Sequence, residues 1–328
     1  MIRLLDLPHH DARSLLRSTD VPVFLTVNPV EFHGPHLSLH NDLHVSAGLN
    51  RDLHAALAGG RTDYPYVVAG ELEIGVEPCS GPGSRHTRFQ HARALVAEAC
   101  RALVELGARK VVLGTFHGGA LHNVALDEGV RLVEQSGGRA IAPLALALDL
   151  MIGDDRRMLD EAVALVDASD REKRELKESL RFDFHAGWLE TSLALHYAPE
   201  TVSPLHRALA PARPLPRTAI FTRASRAASR LGAERLATEL DFLATASNWA
   251  KQRPFVGYTS MPHLARAEVG AVAARELVRR YAERARAVFD RGEPAPRPPL
   301  RWLRYATLDG RLDPMFVPTE DVQEISLS

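Results

Sequence analysis

Val21-Pro22-Val23-Phe24-Leu25-Thr26-Val27, followed two residues later by Val30-Glu31-Phe32-His33-Gly34-Pro35-His36-Leu37-Ser38-Leu39-His40-Asn41-Asp42, is the stretch that decides the fold. Its first half is short, apolar and rich in β-branched residues, as a strand buried on both faces must be. Beyond the loop, Leu43, Ala47, Leu49, Leu53, Ala56 and Leu57 recur at helical spacing, and Gly59-Gly60 closes that helix. The same alternation continues along the chain. Tyr66 to Ala69 reads as a second strand, and residues 89–106 as a helix with Phe89, Ala92, Leu95, Val96, Ala99, Leu103 and Leu106 on one stripe. Lys110 to Thr115 and Arg139 to Leu146 read as further strands. Helix-length crossovers between short buried strands predict a three-layer α/β/α fold with a mostly parallel sheet. In such sheets, sites form beyond the carboxyl ends of the strands. The loops after the first and third strands lie there.

The remaining chain divides less sharply. Residues 150–181, charged throughout, are expected to form an inserted helix. Another helical stretch is expected over about 218–250, one more strand over Pro254 to Tyr258, and a long helix from about Ala265 to Phe289. Residues 1–290 would then form one α/β domain, with 291–328 a proline-rich tail over the surface or a partner subunit. The 328 residues are 45% hydrophobic and 25% charged, with a formal net charge of -1. That balance creates no strong field toward nucleic acid or an anionic membrane. No apolar run approaches the roughly 18 residues needed to span a bilayer. The N-terminal residues carry an acid early and have no signal-peptide apolar core. The two cysteines, Cys79 and Cys100, make neither a disulfide framework nor a thiolate metal site. A cytoplasmic location is expected.

Six of the fifteen histidines fall before residue 50. Glu31, His33 and Asp42 sit on the first loop, and His117 on the loop after the third strand. His185 to Ser192 adds His185 and Glu190. Carboxylates and imidazoles together suit Zn²⁺, Mn²⁺ or Fe²⁺. A pair of ions a few ångströms apart needs a bridging carboxylate, for which Asp42 is the natural candidate. Taken singly, each residue also has a plainer reading. A loop Glu or His is usually solvated, and Asp42 serves equally well as a helix cap. His36, His40 and His44 read as surface or supporting residues, and His122 and His196 as structural. Gly118-Gly119 makes either a plain turn or a place where a ligand nears the backbone.

Together these residues resemble the creatininase family, the creatinine amidohydrolase-like proteins. The family's first signature looks like E-x-H-G-P-H-L-P-L-x-x-D, and here runs from Glu31 to Asp42. The second is similar to N-G-H-G-G-N and reads Thr115-Phe116-His117-Gly118-Gly119-Ala120. The third, H-A-G-x-x-E-T-S, is kept from His185 to Ser192. A weaker fourth, Gly257 to Pro262, resembles a late G-x-x-G-x-P turn. The resemblance implies two divalent metal ions per subunit (Zn, Mn or Fe). Glu31 and His117 would bind one, His33 the other, and Asp42 would bridge them. Creatininase proper places a Glu two residues after its NGH histidine. Gly119 stands there in this chain, and Glu190 is the best available replacement. His185 would transfer a proton. The family's H-x-x-F-P-G-T stretch is poorly matched near Gly83 to Phe89, which argues against creatinine itself.

The expected activity is hydrolysis of a non-peptide C–N amide bond in a lactam, cyclic amide or formamide, with a metal-bridging hydroxide as nucleophile. Gly118, Trp188, Phe32 and His86 are candidate substrate-contacting residues, although Trp188 and Phe32 read equally as packing and His86 as solvated. The alternatives are a peptidase-type or deformylase member of the family, a catalytically silent relative that binds a metal or small molecule, and a mononuclear iron oxygenase. The expected partners are a small-molecule substrate and further copies of the chain in a homo-oligomer, a hexamer being one form the family takes.

Overall fold

The computed structural model describes residues 1–153, 159–312 and 321–322. Five strands, β1 (Ile2–Arg3), β2 (Val23–Asn28), β3 (Val67–Glu73), β4 (Lys110–Gly114) and β5 (Arg139–Ile141), form one sheet in the order β1-β3-β2-β4-β5. Every pairing is parallel. Val23 pairs with Val67 on one side and Val111 on the other, and all three are fully buried. The six residues of β2 are all buried, so its sequence shows a continuous apolar run and not an alternation.

The crossovers are helical. α1 (His9–Ser18) precedes β2, α2 (Asn41–Ala58) joins β2 to β3, α3 (Phe89–Leu106) joins β3 to β4, and α4 (Ala120–Gln135) joins β4 to β5. The chain moves from β2 outward to β3 and then back across β2 to β4. Right-handed connections therefore put α2 on one face and α3 and α4 on the other. The packing agrees. α3 lies against α4, whereas α2 lies against α8 (Trp188–Tyr197) and α11 (Ala267–Arg291). The carboxyl ends of β2 and β4 thus open at the point where the winding reverses, which is where α/β sheets form sites. Asn28, at the end of β2 and fully buried, secures this junction. Its Oδ1 accepts from Thr115 Oγ1 (3.2 Å) and the Phe116 amide (3.1 Å), and its Nδ2 donates to Ser46 Oγ (3.0 Å).

Several sequence expectations change. Residues 150–181 do not form one inserted helix. They belong to the end of α5 (Leu144–Ile152), to α6 (Asp160–Ala164) and to α7 (Asp170–Ser179), with 154–158 outside the described residues. α7 starts at a capping box, Ser169 with Glu172, which fixes a helix start inside the charged run. The stretch 218–250 is a hairpin of α9 (Ala219–Arg230) and α10 (Glu234–Ala246), broken at Gly232 in the left-handed region. Pro254 to Tyr258 adds no strand to the sheet; Phe255 makes only an isolated bridge to Val322. The segment after α11 turns back across α4. Arg297 pairs with Asp127 (2.9 Å) and Glu134 (2.8 Å), and Arg304 with Glu128 (2.6 Å), around the short α12 (Leu303–Ala306). No helix among the described residues is long and apolar enough to cross a membrane.

α8 carries one of the signature motifs, and its seat on α11 depends on a close approach at Gly270. A Cβ there would lie 2.0 Å from the Ser192 carbonyl oxygen. Gly270→Ala is expected to cost about 2–4 kcal/mol by forcing the helices apart. The check is the midpoint of urea unfolding, and an unchanged midpoint would contradict this packing.

Candidate metal centre

Three segments meet at the winding reversal. The β2–α2 loop and the first turn of α2 bring Glu31, His33 and Asp42, the β4–α4 loop brings His117, and the turn into α8 with its first turn brings His185 and Glu190. All six are buried. Asp42 is not the cap of α2. The cap position is His40, without a side-chain cap bond, and Asp42 lies in the first turn with its carboxylate turned inward. Its two oxygens face different partners. Oδ1 is 3.3 Å from His33 Nε2, which is also 3.2 Å from Glu190 Oε1. Oδ2 is 3.6 Å from His117 Nδ1, which is 2.8 Å from Glu31 Oε2. Two donor sets follow, Glu31 with Asp42 and His117, and His33 with Asp42 and Glu190. A third combines Glu31, His33 and His185, and in each set the donor atoms lie within 4.8 Å of one another.

Each imidazole is oriented from behind by a backbone carbonyl. His33 Nδ1 donates to the Glu31 carbonyl (3.0 Å), His117 Nε2 to the Val76 carbonyl (2.9 Å) and His185 Nε2 to the Phe32 carbonyl (2.9 Å). A carbonyl can only accept, so in the neutral rings the lone pair is on the inner nitrogen and faces the carboxylates. That is how ligating histidines are held. The carboxylates are braced as well. Cys79 N donates to Glu31 Oε1 (2.5 Å), Asn41 Nδ2 to Glu190 Oε1 (2.7 Å), and Ala186 N to Glu190 Oε2. Ala186 reaches Glu190 from the left-handed region, at φ 46°, a strained conformation for a residue with a Cβ.

With the imidazoles neutral, Glu31 Oε2 and Asp42 Oδ2 are buried and accept no hydrogen bond. Orphaned carboxylate oxygens beside inward-facing imidazole nitrogens fit a cation between them, and the carboxylate–imidazole donor set fits a borderline divalent metal. In the protein alone, protons must serve that role. Burial would depress the His117 imidazolium, but Glu31 and Asp42 lift it to about 9. His33 is likewise raised well above its ordinary value, burial being outweighed by Asp42 and Glu190. Burial lifts Asp42 to about 7 against the pull of His33. Glu31 goes the other way, because His117, with His185 and His33, outweighs its burial. Burial and the nearby His33 lower His185, which stays neutral.

The centre opens into a cavity of about 480 Å³ bordered by Glu31, Asp42, His117, Gly118, His185 and Glu190. The other candidate substrate-contacting residues lie elsewhere. Trp188 is fully buried in the main hydrophobic core, off the cavity wall. Phe32 packs against Cys79, Trp249, Ala250 and Phe255, and it serves the site through its carbonyl. His86 is exposed and off the wall. An aromatic ring beside a motif histidine is as well suited to filling a core as to lining a site, and here the core claims both. His36 bonds Thr191 Oγ1 (2.9 Å) and His40 bonds Glu73 (2.9 Å), away from the donor sets. Gly119 leaves no room for a side chain. A Cβ would lie 2.6 Å from His117 Nε2 and 2.8 Å from the Val76 carbonyl oxygen. Glu190, from another element, stands in the second donor set instead.

Sequence reading missed Asn41, whose only signal was its position before Asp42 inside the motif. It also missed the amide of Cys79 and the ring of Trp249, 4.9 Å from the His185 ring. Neither carried a local signal, since both arrive from distant segments. Burial, with Glu31 and Glu190 close by, raises the Cys79 thiol well above its usual range, so its contribution is the backbone N–H.

Comparison with known proteins agrees with the fold. The creatininase profile, described as creatinine amidohydrolase, matches residues 6–285. This chain belongs to the creatininase family. The family is of the amidohydrolase kind, and its solved members share this fold. A structure described as creatininase Mn is 17% identical, with a TM-score of 0.56 over 88% of this chain and 98% of that chain. One of creatinine amidohydrolase (creatininase) is 18% identical, with a TM-score of 0.57 over 89% and 98%. The putative creatinine amidohydrolase from Bacteroides fragilis NCTC 9343 is 18% identical, with a TM-score of 0.54 over 83% and 92%. Among curated proteins, none matches significantly.

The protons on His33 and His117 must leave when a metal ion enters. Uptake of Zn²⁺ by metal-free protein is therefore expected to release protons at pH 7–8. Affinity should strengthen as pH rises toward about 9, where His117 deprotonates unaided. Calorimetric titration in buffers of different ionisation enthalpy measures the release. Identical heats in all buffers would rule it out.

Proposed function

We propose that this chain is a metal-dependent hydrolase of a non-peptide C–N amide bond, such as that of a lactam, cyclic amide or formamide. The observation that carries the reading is the division of Asp42 between two imidazole–carboxylate sets. Glu31, Asp42 and His117 would hold one divalent ion, and His33, Asp42 and Glu190 the other, with Zn, Mn or Fe compatible with the donors. The solved neighbours include one described as a Mn form and a variant described as Zn-Zn type. Such ions, when bound, supply a water of lowered pKa and a Lewis-acid contact for a carbonyl.

The chain's own groups supply the rest. His185 presents Nδ1, 3.7 Å from Glu31 Oε1, toward the cavity while its Nε2–H is tied to Phe32. A neutral ring in that tautomer takes a proton at Nδ1 and returns it to the departing nitrogen. The backbone at Gly118 borders the same space and would face the carbonyl oxygen as negative charge develops there. Burial of all six side chains keeps bulk water from screening these contacts. The expected small-molecule substrate, cytoplasmic location and homo-oligomeric assembly belong to this reading and rest on the family resemblance.

Asp42→Ala removes the only carboxylate shared by both principal sets and is expected to leave purified protein essentially metal-free. Elemental analysis is the check, and wild-type stoichiometry would overturn the assignment. His185→Gln should retain metal while kcat on the best substrate from a screen of lactams, cyclic amides and formamides falls about 10²–10⁴-fold. Loss of metal in that variant would make His185 a ligand instead.

A further inference from the structure

The cavity has two unlike ends. The charged end is the centre itself. From there, aromatic rings step away from the donor sets: His185 to Trp249 at 4.9 Å, Trp249 to Phe184 at 5.4 Å, and Phe184 to Phe242 at 6.1 Å between centroids. Phe242 belongs to an apolar cluster with Ile152 and Leu300, against which Met151 and Leu303 pack. These residues come from three elements, α5, α10 and the segment after α11, and all border the cavity.

The third wall lies beyond residue 285, where the match to the family profile ends. It is held firmly. Arg297 and Arg304 clamp it to α4 through Asp127, Glu134 and Glu128. Leu300 is kept in the left-handed region at φ 59° while buried in the cluster. A leucine adopts that conformation only where its surroundings enforce it. Arg181, which also borders the cavity, is occupied: it pairs with Asp241 (2.7 Å) and donates to the Ile152 carbonyl (3.2 Å).

A space of about 480 Å³ falls in the range of pockets that enclose whole drug-sized ligands. A small polar ring would occupy the charged end and leave the apolar end filled with water, an unfavourable arrangement for leucine and phenylalanine surfaces. We propose that the substrate's amide carries a bulky apolar substituent, an alkyl chain or aromatic ring, seated between α5, α10 and the C-terminal wall. The proposal rests on the amide-hydrolase reading for the bond that is cut, but not for the occupant of the apolar end.

The test is equilibrium binding, so that it does not depend on turnover. Two homologous series are titrated calorimetrically into the protein as purified: primary amides from acetamide to octanamide, and N-alkyl formamides from methyl to octyl. The association constant is expected to rise about fourfold per methylene in the series whose chain enters the compartment, then level off once it is filled. The two series distinguish an acyl substituent from one on nitrogen. Ala246→Phe, which fills the apolar end, should move the plateau to shorter chains, and Phe242→Ala should lower the rise per methylene. Unfolding midpoints verify that both variants are folded, and the wild-type series stands without them. Affinity independent of chain length in both series overturns the proposal, even if short amides are hydrolysed. A rise with chain length without hydrolysis of any member upholds the compartment and overturns the hydrolase reading.

Discussion

Three carboxylates and three imidazoles share one buried space, and the structure is arranged around holding them there. Removing one partner from a buried ion pair costs about 3–5 kcal/mol. No one of these groups can therefore move without stranding another. Asp42 is the pivot, because its two oxygens serve both principal donor sets. The braces around it come from the backbone: carbonyls of Glu31, Phe32 and Val76 fix the rings, and amides of Cys79 and Ala186 fix the carboxylates. Backbone groups carry no side-chain freedom to lose, which makes them rigid supports.

The scaffold meets this constraint through its winding. Reversing direction across β2 sends α2 and α4 to opposite faces, which parts the two loops enough for side chains to converge between them. Asn28 ties the two strand ends beneath the gap. α8 then closes the site from the α2 side, seated on α11 by the close contact at Gly270. The same construction explains the exchange between Gly119 and Glu190. The backbone at 119 is pressed against His117 and Val76, so a carboxylate for the second set has to come from another helix.

The apolar extension of the cavity belongs to parts of the chain with little to say in sequence. α5 is an apolar run whose first residues read as the end of a strand, and α10 and the returning C-terminal segment look like ordinary amphipathic and proline-rich stretches. Their apolar side chains meet in one wall where the last segment, paired to α4 through Arg297 and Arg304, packs beside α5 and α10. Trp188 and Phe32 show the converse. They sit beside motif residues in sequence and face the core in space.

By itself the sequence determined the alternation of buried strands and crossover helices, hence a parallel sheet. It also determined the three motifs that put ligating residues on loops at one end of it. Those signals are local: hydrophobic periodicity and residue spacing survive in a one-dimensional reading. Asp42 could be read there only as either cap or bridge, because both roles use the same residue at a helix start. The tertiary structure decided between them by turning its carboxylate toward His33 and His117. It also decided which aromatic rings face the cavity, which amides and amide side chains brace the acids, and that the tail forms a wall. Most of these depend on contacts between residues tens to hundreds of positions apart, and no local pattern encodes the direction in which a buried side chain will point.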